Sequence, residues 1–99
     1  MKNGERVNWR FTTELKVEMD EVERIREEIN KIFEEDKDLE QEDSYALIHD
    51  ADFANRTAVL IVSCFTKTDT HEDYFRIRDA MLLKLRKLID ATKKSNPLP

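Results

Sequence analysis

Two histidines, His49 and His71, and a single cysteine, Cys64, are the residues whose chemistry could reach beyond simple charge in this 99-residue chain. His49 lies beside Asp50 and Asp52, so an imidazole and two carboxylates offer a metal donor set. Neighbouring side chains on a strand point to opposite faces, which predicts that His49 and Asp50 point apart and share no ion. His71 falls in the first turn of a helix and reads as a surface residue. Cys64 with a histidine would make a nucleophile pair, but it lies inside the run T-A-V-L-I-V-S-C-F, Thr57 to Phe65. There it reads as a small buried hydrophobe. The acidic run E-E-D-K-D-L-E-Q-E-D, Glu34 to Asp43, invites a calcium reading. A calcium loop needs a glycine at its sharp turn, and this run has none, so it reads as a solvated loop. One glycine in the whole chain leaves no Gly-rich phosphate cradle. No Ser/His/Asp order and no acid pair in an apolar setting is present. The expectation is a protein that is not an enzyme, with no catalytic, cofactor-binding or metal-binding residues.

Composition narrows the class. Charged and apolar residues each make up 39% of the chain, which describes a soluble domain with a modest core. The length suits one domain. A net charge of −5 argues against a nucleic-acid surface, which needs clustered Lys and Arg. No apolar run approaches the roughly 20 residues of a membrane-spanning helix. The N-terminus, Met-Lys-Asn-Gly-Glu-Arg, is polar and does not read as a signal peptide. A lone cysteine forms no internal disulfide and suits a reducing compartment.

The elements that would position these residues follow from periodicity. Residues 1–7 are polar and expected to be flexible, residues 8–94 to form the domain, and residues 95–99 a flexible tail. From Asn8 the pattern alternates: Trp9, Phe11, Thr13, Leu15 and Val17 share one face, with Arg10, Thr12, Glu14, Lys16 and Glu18 on the other. That is a strand with one buried side. Asp20, three before Glu23, predicts a helix N-cap there. Val22, Ile25, Ile29, Ile32 and Phe33 then form an apolar stripe on a helix ending near Glu35. Ser44 to Asp50 reads as a second strand, with Tyr45, Leu47 and His49 on one face. Asp52 to Arg56 is a polar connection into the Thr57–Phe65 run, whose uniform apolarity marks a central strand covered on both faces. The short connection predicts a hairpin. Thr70 to Asp73 is a second helix start. Tyr74, Ile77, Met81, Leu82, Leu85, Leu88 and Ile89 line that helix, which should stop between Ala91 and Lys94, with Lys93 and Lys94 against the negative dipole end.

The order β-α-β-β-α predicts an α+β, ferredoxin-like fold: a three-stranded sheet of order 2-3-1, two helices on one face, and the final strand lacking. The first and third strands are expected as parallel neighbours. The first strand keeps an open edge bearing Trp9 and Phe11. Val59, Ile61 and Phe65 face away from Ala58, Leu60, Val62 and Cys64. Two helices cover only one of these sides, so the other is an expected contact surface. The candidate interface residues are Trp9, Phe11, Val59 and Ile61.

The segment V-S-C-F-T-K-T-D-T-H-E-D-Y-F-R-I-R-D-A-M-L-L-K-L, Val62 to Leu85, resembles the C-terminal domain of the small-conductance mechanosensitive channel family. The resemblance rests on Cys64, Phe65, Lys67 and Thr68 in a strand-to-helix turn, then Asp73, Tyr74, Arg78, Leu82 and Leu83. Trp9 to Val17 is similar to the family's strand after its pore-proximal domain, and the helix Glu21 to Glu35 with the acidic D-L-E-Q-E also fits. The resemblance implies a role. Family members are homo-heptameric membrane channels that open under bilayer tension in osmotic stress. Their C-terminal domains form a cytoplasmic chamber that filters ions and osmolytes. This chain has no pore helices and no final strand in S-N-P-L-P. It is therefore expected to be an excised soluble domain on the reducing side of a membrane in the cell or an organelle. It should self-associate weakly, take no cofactor or small-molecule substrate, and meet the membrane only through absent segments. The alternative is a small-molecule or metal-sensing regulatory domain on the same fold. A glycine-rich turn after the first strand would favour it; Met19-Asp20-Glu21 stands there instead.

Overall fold

The computed structural model describes residues 9–94, with side chains described through residue 91. The expectations for residues 1–7, for residues 95–99 and for the Lys93 and Lys94 side chains lie outside the described residues. Strand β1 (Arg10–Glu18) passes through a 3₁₀ turn (Met19–Glu21) into helix α1 (Val22–Glu35). Strands β2 (Tyr45–Asp52) and β3 (Thr57–Phe65) form a hairpin, and helix α2 (His71–Lys94) follows. The strands lie in the order β1-β3-β2, which is the expected 2-3-1 arrangement read from the other edge.

Both pairings are antiparallel, so the expected parallel contact between β1 and β3 is corrected. The reason is topological. The crossover through α1 returns the chain so that β1 and β2 run the same way, and the hairpin makes β3 oppose β2. Lying between them, β3 must oppose both.

Register explains the core. Phe11, Thr13, Leu15 and Val17 stand opposite Cys64, Val62, Leu60 and Ala58, so all eight share one face. The apolar stripe of α1 (Val22, Ile25, Ile29, Phe33) and the α2 residues Ile77, Met81 and Leu85 close over that face as one cluster. Both helices thus cover the same side of the sheet. Leu60, Val62 and Cys64 are fully excluded from solvent.

Three local expectations change. Asp20 is not the N-cap of α1; Glu21 is, without a side-chain cap bond. The Met19 N–H donates to the Arg56 carbonyl at 2.9 Å, which ties the turn to the hairpin, and Asp20 pairs with the Arg56 guanidinium instead. Arg56 adopts φ 56°, the left-handed bend that closes the 53–56 loop. Strand β2 runs on to Asp52, with a bulge at His49 where the register shifts between Ile48 and Asp50. Finally, the acidic connection is anchored rather than loose. Leu39 bridges to Thr66 and is buried, the Glu40 N–H donates to the Phe65 carbonyl (2.9 Å), and the Lys67 N–H donates to the Asp38 carbonyl (2.8 Å).

Truncating the centre of the core should cost most. Leu60→Ala is expected to destabilise the domain by about 2–5 kcal/mol, because the neighbouring side chains cannot collapse into the space. Leu47→Ala, which is half exposed, should cost about 0.5 kcal/mol or less. Urea denaturation of the two variants measures the difference.

Candidate functional site

The sheet face turned away from the helices carries the residues left over from the core. Its centre is the β3 column Thr57, Val59, Ile61, Ser63 and Phe65. Register places Glu14 and Leu47 on either side of Ile61, Lys16 and Asp50 beside Val59, and Thr12 and Tyr45 beside Ser63.

One end of this face is closed by Arg10. Its Nε donates to Ser63 Oγ at 2.8 Å and a terminal nitrogen donates to the Tyr45 hydroxyl at 3.0 Å. The guanidinium carbon lies 5.3 Å from the Phe65 ring centre and 5.9 Å from that of Tyr45. Such stacking of a cation on aromatic faces is favourable. Thr12 Oγ1 completes the group at 3.2 Å from Ser63 Oγ. Ser63 is consequently buried on a face that no helix covers. Beyond Arg10 the face is open. Val59 and Ile61 are half-buried there, and Leu47 is 49% exposed.

The four candidate interface residues separate. Val59 and Ile61 are neighbours on the open face. Phe11 is 2% exposed and belongs to the core. Trp9 belongs to the helix side: its ring centre lies 4.4 Å from that of His71 and 5.2 Å from that of Tyr74, and His71 stacks on Phe75 at 5.1 Å. Leu47, half exposed beside Ile61, was not among the candidates. Its signal was the shared parity of Tyr45, Leu47 and His49 in β2.

The titratable candidates resolve into structural roles. The bulge breaks the alternation expected at His49 and Asp50, because the extra residue returns Asp50 to register opposite Val59. His49 Nε2 lies 3.7 Å from Glu14 Oε2 across the sheet. Among the described residues no group of three His, Cys, Asp or Glu is arranged to hold a metal ion. Burial pushes the Cys64 thiol up to about 12, and the nearby Asp36 charge adds to this, so the nucleophilic thiolate is suppressed at neutral pH. Burial also acts to raise Asp36. It is outweighed by the hydrogen bond from Lys84 Nζ (2.6 Å), the hydrogen bond from the Asp38 N–H (2.9 Å) and the Lys84 and Arg76 charges, which hold the carboxyl below its usual value. This pair fastens the acidic loop to α2.

The surface clefts are shallow. One of about 440 Å³ runs between α1 and the hairpin, lined by Val22, Arg26, Ile48 and Phe53. Another, of about 590 Å³, borders the acidic loop at Glu34, Glu40, Glu42 and Lys67. The second cleft includes Asp36, whose carboxyl is shifted but already held by Lys84, and neither cleft gathers several converging groups with shifted ionisation of the kind a catalytic pocket displays.

The arrangement defines a class first: an α+β packing domain whose distinctive surface is an uncovered sheet face. A family model described as mechanosensitive ion channel protein 2/3 C-terminal matches residues 9–90, and the chain belongs to that family. It is also similar to mechanosensitive ion channel protein 2, chloroplastic, of Arabidopsis thaliana, at 24% identity over 90 residues. That match covers 86% of this chain and 13% of the relative, so the chain spans about an eighth of the relative's length. The family is a channel domain, not an enzyme family. No helix among the described residues is long and apolar enough to cross a membrane.

The Asp36–Lys84 pair predicts a pH signature. A carboxyl lowered on folding stabilises the domain above the unfolded value, near 3.8, and that contribution is lost as pH falls through the folded value. Lys84→Met should therefore cost about 1 kcal/mol or less at neutral pH, since Lys84 is partly exposed. The gap between the variant and the parent should narrow below pH 3.8, as followed by thermal melts across a pH series.

Proposed function

We propose that this domain builds part of the wall of an oligomeric chamber on the cytoplasmic side of a mechanosensitive channel pore. Val59, Ile61 and Leu47 on its open sheet face supply a contact to neighbouring subunits. The observation that carries this reading is the apolar second face of β3 in a domain of a channel family. Both helices pack on one side of this sheet, and half-exposed branched side chains at the centre of the other side would be stabilised by a partner surface. The parent is then a homo-oligomer, heptameric by analogy with small-conductance channels, and the chamber filters ions and osmolytes and modulates gating. The relative's name places that channel in the chloroplast, which supports an organellar membrane for the parent of this chain.

The test is a chimera. This chain replaces the matching segment of the Arabidopsis channel, with and without Val59→Asp and Ile61→Asp. The unaltered chimera should assemble on native gels and carry tension-activated current in patches. The double variant should shift to smaller species and lose most of that current, while the same variant of the isolated chain keeps its circular dichroism and melting transition. A double variant that assembles and opens like the unaltered chimera overturns the assignment of this face.

A further inference from the structure

We propose that the outer edge of β1 pairs with β1 of a second copy of this chain, antiparallel and centred on Leu15. This contact goes beyond the chamber reading. An isologous contact closes at two copies and does not itself build a ring.

The edge is available. The Thr66 N–H donates to the Trp9 carbonyl and the Met19 N–H donates to the Arg56 carbonyl, both at 2.9 Å. Trp9 and Met19 share one parity, so the odd-numbered residues of β1 hydrogen-bond to β3. Arg10, Thr12, Glu14, Lys16 and Glu18 turn their N–H and C=O groups outward. The Tyr74 hydroxyl donates to the Arg10 carbonyl at 3.2 Å and closes that end. From Thr12 to Glu18 the edge has no strand neighbour among the described residues. Unpaired backbone groups in a row are a template for another strand.

The side chains choose the register. Outward groups meet only if even residues oppose even residues, which leaves few alignments. Centring on Leu15 places Glu14 opposite Lys16 of the second copy, and Lys16 opposite its Glu14. Thr12 then faces Glu18. On the helix side Leu15, which is half-buried, meets Leu15, and Thr13 meets Val17. Sliding one step one way sets Glu14 against Glu14. Arg10 could offset that only by reaching Glu18 of the second copy, and it is already held by Ser63 and Tyr45. Sliding the other way sets Lys16 against Lys16 and Glu14 against Glu18. Opposite charges directly across antiparallel strands are favourable and like charges are not. The result is one continuous sheet with both helix pairs on the same side. Glu14 also has His49 Nε2 at 3.7 Å, with both side chains 57% exposed, so the contact leaves Glu14 accessible. Charges on an edge strand also serve to keep other strands away, and that is the rival role.

Charge swaps separate the two. Sedimentation equilibrium of the full chain, from micromolar to millimolar concentration, should show a monomer–dimer equilibrium. Glu14→Lys and Lys16→Glu should each weaken it by roughly tenfold or more, since each turns two favourable pairs into like-charge pairs. The double swap E14K/K16E should restore the dimer. An equimolar mixture of the two single variants should form mixed dimers, a result that misfolding cannot produce. Val59→Asp with Ile61→Asp should leave this dimer intact. A wild-type chain that stays monomeric, single swaps that dimerise like wild type, or a double swap that fails to restore dimers overturns the inference. If the Val59/Ile61 variant abolishes association while the swaps do not, the contact in solution is the open face, and the β1 pairing is wrong.

Discussion

Strand β3 is hydrogen-bonded along both edges, and its Leu60, Val62 and Cys64 lie fully buried beneath the helix pair. The other described elements are placed relative to it. The hairpin fixes β2 on one side. The α1 crossover delivers β1 to the other. The end of β3 continues through Thr66 into backbone bonds with Trp9 and the acidic loop. Because a strand presents alternate residues to opposite faces, an apolar β3 is also apolar on its far side. The helices are spent on the first face. The second is left to one arginine, which covers Ser63, Tyr45 and Phe65 at one end and leaves Val59 and Ile61 open.

The sequence was most legible where side-chain period and burial coincide. The alternation from Trp9 to Val17, the α1 stripe and the Thr57–Phe65 run each named their element, and the strand order followed from topology. Legibility failed where a long-range partner overrides a local rule. Asp20 looks like a cap because the three-residue spacing to Glu23 is visible, but Arg56, far along the chain, competes for its carboxylate. Leu39 is a single apolar residue in an acidic run, and only the bridge to Thr66 makes it core. The bulge at His49 has no glycine or proline to announce it. The strand directions were a different kind of error, since hairpin and crossover together already required β3 to oppose β1.

The candidate surface was half legible. Parity alone separates Val59 and Ile61 from Leu60 and Val62, and that separation holds in three dimensions. Parity also puts Trp9 and Phe11 on the covered side, where the structure finds them, one in an aromatic group with His71 and Tyr74 and the other in the core. The Arg10 cover over Ser63, Tyr45 and Phe65 could not be read locally, because it joins all three strands. Membership of the mechanosensitive ion channel protein 2/3 C-terminal family gives this uncovered face a context. A domain of a larger channel need not finish its own surface.

The central claim is that the chain covers one sheet face and leaves the other for a partner. Methyl NMR with a soluble paramagnetic agent tests it most directly, comparing the dilute chain with the assembled chimeric channel. The account predicts that Val59 and Ile61 methyl signals broaden strongly in the dilute chain and become shielded on assembly, while Leu60 and Val62 stay shielded in both. Val59 and Ile61 already shielded in the dilute chain, or still broadened in the assembled channel, would contradict it.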